Sequence, residues 1–120
     1  MKEISDYIDI ERSSLRDARS TQGEALVLIK SPAVVSEHEE EILQTVIDHF
    51  IKFVSKAIGR AYSVHRDPYS NSYRIFEPGR ESYGFRISDE GDKIIIKPIA
   101  ILEDLTILKR YLGHLKHKTL

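Results

Sequence analysis

The sequence predicts an α+β domain: a mostly antiparallel five-stranded sheet packed on a long central helix, with amphipathic N- and C-terminal helices, in the order α-β-α-β-β-β-β-α. Three observations lead there. Residues 36–59 combine a helix start, a broad apolar arc at helical spacing and a glycine stop. From residue 60 the apolar period becomes two and turn signals recur. After residue 102 the leucines return to spacings of three and four. At 120 residues the chain suits a single domain, expected to span 1–120.

The first element is expected to be a helix over residues 3–19, because Ile4, Tyr7, Ile8, Leu15 and Ala18 share one helical face. Ser20 to Gly23 supply its stop, with Gly23 free to take a left-handed conformation. Ala25 to Ile29 form an unbroken apolar run closed by Ser31 and Pro32, which reads as a strand buried on both faces. Ser36 and Glu39 match a capping box, and the acids at 37 and 39–41 lie near the positive end of the helix dipole. Ile42, Leu43, Val46, Ile47, Phe50, Ile51, Phe53, Val54 and Ile58 then form a broad apolar arc, up to Gly59.

Four strands come next as a meander, expected near 60–66, 72–77, 82–88 and 93–100. Asp67-Pro68 opens the first connection. Glu77-Pro78-Gly79-Arg80 has proline and glycine where a type II turn wants them, and Ser88 to Asp92 make the third connection. Leu105, Leu108, Leu112 and Leu115 mark the final helix, whose last turns carry His114, Lys116, His117 and Lys118.

Alternation sorts the meander by face. If Val64, Ile75, Phe85 and Ile87 point to the core, then Tyr62, Tyr73 and Tyr83 join them. The other parity collects Ser63, His65, Arg74, Phe76 and Arg86, with Ile95 and Lys97 from the last strand: a basic face with one central aromatic. The net charge is only −1, but it is unevenly spread. Acids dominate residues 36–59 and bases dominate 60–86 and 103–120.

Several chemistries are excluded or unsupported. With no cysteine there is neither a disulfide framework nor a thiolate zinc site. The start of the chain has no apolar leader-like run, so a soluble, cytoplasmic protein with no membrane partner is expected. His38 to Glu41 lack the second histidine of H-E-x-x-H, and His114 with His117 offers two metal ligands where a site needs more. His65-Arg66-Asp67 stands without any other part of a kinase catalytic core. No phosphate-cradling glycine motif opens a helix. No catalytic residue, metal or cofactor is therefore expected.

Three functional readings remain. The first is a small non-enzymatic interaction or adaptor module, self-associating or meeting another protein through Leu105, Leu108, Leu112 and Leu115, since three amphipathic helices exceed what one sheet needs. The alternative is a single-stranded nucleic-acid-binding protein that uses Arg74, Phe76, Arg86 and Lys97, with His65 and Arg80 at the rim. The third is a small-ligand pocket between the long helix and the tyrosine face.

Overall fold

A computed structural model describes residues 3–17, 23–32, 39–70 and 72–118. The chain runs α1 (Ile4–Tyr7), β1 (Ile8–Asp17), β2 (Glu24–Lys30), α2 (Glu39–Phe53) continued by a π-helical turn (Val54–Ile58), β3 (Ser63–Arg66), β4 (Ser72–Glu77), β5 (Arg80–Asp89), β6 (Lys93–Pro98) and α3 (Ile101–Lys118). The strands form one sheet in the order β1-β2-β6-β5-β4-β3, and every neighbouring pair is antiparallel. The α+β class and the antiparallel sheet agree with expectation; the strand count is six, not five.

The extra strand corrects the reading of residues 3–19 as a helix. Only Ile4–Tyr7 is helical, and Ile8–Asp17 pairs along β2. A helix there would have left one whole edge of β2 without backbone partners, and β2 is too apolar to be an edge. The local cue is the buried pair Ile8 and Ile10 at strand spacing, which helical counting passes over. The ladder then jumps: Asp9 pairs with Ile29 and Ser14 with Val27, so Ile10 to Ser13 oppose Leu28 alone. The buried Ser13 side chain repairs the break, its hydroxyl accepting from Ile29 N–H at 3.0 Å and donating to Asp9 C=O at 2.9 Å.

Both long helices cover one face of the sheet. Ile42, Val46 and Phe50 from α2 and Leu108, Tyr111 and Leu115 from α3 join Leu26, Leu28, Ile94, Ile96, Phe85 and Ile87 in one core. The long helix expected at the centre of the core shares the sheet with α3. Gly59 ends the α2 segment at φ +77° as expected, while the Ser36 cap lies outside the described residues. Residues Ala25 to Leu28 are buried on both sides of β2, and Ala25, Val27 and Ile95 make a small second cluster on the far face.

Two polar devices fix the ends of the core. At one end Lys30 Nζ meets both oxygens of Asp89 at 2.9 and 3.0 Å, with the two side chains 0% and 4% exposed. Such a pair is costly to break from one side, because the orphaned charge stays buried. At the other end Asp104 on α3, itself fully buried, accepts from Gly84 N–H and Ala100 N–H, both at 2.8 Å. Gly84 has φ +128°, and a Cβ there would lie 2.2 Å from Ile75 C=O, so only glycine allows the bulge that brings its N–H to α3.

Ser13→Ala removes one acceptor and one donor from a dry site and strands Ile29 N–H. It is expected to lower stability by ~1–3 kcal/mol in urea denaturation. A loss below a few tenths would show that the bulge does not depend on that hydroxyl.

Candidate nucleic-acid interface

The register of the meander decides what its open face displays. Arg74 on β4 is directly opposite His65 on β3 and Arg86 on β5, and Arg86 is directly opposite Lys97 on β6. Four of the expected face residues therefore stand side by side in one row. The row continues. One step beyond the Leu26–Ile96 pair brings Ala25 beside Lys97, and Ala25 is opposite Arg16 on β1. From β1 to β3 the line reads Arg16, Ala25, Lys97, Arg86, Arg74, His65, spanning five strand spacings or about 24 Å.

This row lies on the side away from both helices, since its members alternate with the core residues of the same strands. Arg16, His65 and Arg86 are exposed, and Arg74, Lys97 and Phe76 are partly so. Phe76 faces Ser63 beside the row. The Arg74 guanidinium approaches its ring to 5.3 Å, and the His65 ring meets it edge-on at 5.0 Å. Arg74 also donates to Glu81 C=O, while its Nε is buried and has no partner.

Acidic groups are scarce on this side. On the strands, parity places Asp9 there, at the corner opposite Ile29, and Glu81, which the Glu77–Arg80 pair sets opposite Phe76 beside the row. The turn residue Asp67 reaches Arg86 at 3.8 Å. That carboxylate is held below its usual range first by the Tyr69 N–H, then by the Ser70 hydroxyl, with Arg86 adding a smaller attraction. Asp67 is thus chiefly a turn former, and Arg86 keeps half of its side-chain surface in solvent. The same turn displays Tyr69 at 95% exposure, an aromatic that strand alternation has no means of finding.

The acids sit elsewhere. Glu40 accepts from the Tyr73 hydroxyl and Glu41 from the Tyr7 hydroxyl, each at 2.9 Å, on the helical side of the sheet. Burial first, and then the neighbouring carboxylate, raise the pKa of both phenols. Glu40 and Glu41 are thus held on the side of the sheet away from the row.

No protein-family model, curated protein or solved structure matches this chain. Among the described residues, no helix is long and apolar enough to cross a membrane, and no three metal-ligating side chains converge.

The remaining expected residues fall outside the row. Arg80 belongs to the β4–β5 turn, where Glu77 at 3.6 Å, Glu103 at 3.7 Å and the Tyr83 ring at 4.4 Å hold its guanidinium. Tyr83, next to the Gly84 bulge, does not join the core as Tyr73 does. On α3, Leu108 and Leu115 are fully buried and Leu112 packs against the core, leaving Leu105 half-buried and Leu102 exposed. The stripe is mainly the helix's own contact with the sheet. Arg16 was missed because residues 3–19 read as a helix; the alternation of Ile8 and Ile10 signals a strand, but the bulge hides the parity of the residues beyond it.

Like charges directly opposite one another oppose sheet formation. Lys97→Thr is therefore expected to raise stability by ~0.2–1 kcal/mol at low ionic strength, with the gain shrinking as salt screens the row. Urea denaturation at two salt concentrations measures this; a salt-independent loss would mean that the row is not self-repelling.

Proposed function

We propose that this domain is a non-catalytic binding module for single-stranded nucleic acid, held across the open face of its sheet. The observation that carries the reading is the line of Arg16, Lys97, Arg86, Arg74 and His65 across the sheet, with Phe76 beside its centre. Phosphates of an extended strand follow the cations, and an unstacked base lies on Phe76, with Tyr69 as a second platform near β3. A sheet face offers no helix or ribbon to enter a duplex groove, and bases inside a duplex present no free face to stack. Single strands therefore suit this surface better than double-stranded DNA.

Sequence tolerance is a consequence of the chemistry. Arginine and lysine address phosphates, and a phenylalanine ring stacks on any base; the row holds no amide or carboxylate to read a base edge. The reading as a self-associating module through α3 has less support, because two of its four leucines are spent in the core. The exposed Leu102 and half-buried Leu105 fall far short of the roughly 800 Å2 per partner that a stable interface buries.

Fluorescence anisotropy of labelled single-stranded DNA and RNA oligomers at low salt tests the proposal. Phe76→Ala is expected to cost ~1–3 kcal/mol of binding free energy. Arg86→Ala is expected to weaken DNA and RNA oligomers alike, whereas Leu102→Ala leaves affinity unchanged. Absence of binding at low salt, or unaltered affinity in both face variants, would refute the assignment.

A further inference from the structure

On the helical side of the sheet, α2 and its π-helical turn carry His49, Lys52, Phe53 and Lys56 at successive spacings of three, one and three. These residues, with Ala57 and with His114 from α3, line a groove of about 400 Å3. The groove's inner wall is a continuous set of rings. Phe53 lies 5.0 Å from His114 and 5.3 Å from Tyr111, and His49 lies 5.9 Å from His114. His49 Nδ1 and the Tyr111 hydroxyl share a hydrogen bond of 2.8 Å, and burial keeps that phenol protonated, so the ring is fixed in orientation.

The lining set is chemically one-sided. Lys52 and Lys56 are exposed, two imidazoles stand behind them, and among the described residues no carboxylate lines the groove. The dipole at the end of α2 accounts for a lysine in its last turn. It does not account for a ring-walled groove beneath two lysines. The π-helical turn adds a second observation, because such turns are rare and recur at binding sites, and Lys56 and Ala57 in the groove wall both belong to it.

We propose that this groove binds a small aromatic phosphate of the nucleoside-monophosphate class, with the flat body against Phe53 and His114 and the phosphate between Lys52 and Lys56. The volume falls within the range of small-molecule sites. Phosphate suits two mobile ammonium groups as point charges, and an aromatic body suits an exposed ring wall. This site lies across the sheet from the cationic row and does not depend on the reading of that row.

Titration with adenosine monophosphate, followed by the histidine ring signals in NMR, separates the two faces, since His49 and His114 line the groove and His65 reports the row. Shifts of His49 and His114 with His65 unmoved are expected, together with about tenfold weaker binding in the Lys52→Glu/Lys56→Glu variant. Adenosine alone and inorganic phosphate alone are expected to bind more weakly than the combined molecule. Unmoved His49 and His114 signals at millimolar ligand, shifts confined to His65, an unaffected double variant, or phosphate binding as tightly as the nucleotide would each overturn the proposal. Both lysines are exposed, and an unchanged His65 signal with an unaltered urea midpoint in the unliganded variant verifies its fold.

Discussion

Antiparallel pairing in a fixed register is the constraint on which the rest depends. A slip of one residue in β4, β5 or β6 would move Arg74, Arg86 or Lys97 into the core and Ile75, Ile87 or Ile96 into water. The apolar face thus sets the register, and the register lines up the cations as a consequence. Electrostatics alone would not have chosen that arrangement. The row exists because burial of Phe85, Ile87, Ile94 and Ile96 under two helices outweighs the repulsion it causes on the other side.

The two ends of the core hold that register in place. Lys30 and Asp89 tie the end of β2 to the end of β5 across β6, and neither can move without exposing a buried charge to a partnerless interior. Asp104 ties the first turn of α3 to the Gly84 bulge at the opposite end. The helices are thereby committed to one face, and no described element covers the other along the row. Such a division lets a domain of nearly zero net charge present a cationic surface: its Glu40 and Glu41 are engaged by tyrosines on the helical side.

How much of this the sequence revealed depended on local regularity. In β3 to β6 the period of two is unbroken from Tyr73 to Glu77 and from Phe85 to Asp89, so parity alone placed His65, Arg74, Phe76, Arg86 and Lys97 on one face. The Pro78-Gly79 and Gly91 connections announced themselves through residues that tolerate their backbone angles. The N-terminal strand was illegible for the opposite reason: four residues face one at its bulge, and the resulting spacing of Ile4, Tyr7, Ile8 and Leu15 imitates a helix. Arg16 was lost with it. Arg80, expected at the rim, is held by Glu77, Glu103 and Tyr83 through side-chain contacts that periodicity does not show. The leucines of α3 showed a helix face, but an apolar face does not say whether it meets a partner or its own sheet.

The most direct measurement of the central claim is the salt dependence of single-strand binding. Four fixed cations in the row, Arg16, Lys97, Arg86 and Arg74, should give log K against log salt a slope of about −3, because each neutralised phosphate of a single strand contributes roughly −0.7. In an Arg74→Ala/Arg86→Ala variant the slope should fall to about half that value. A shallow slope in the unaltered protein, or one that the double substitution leaves intact, would contradict a phosphate backbone lying along the row.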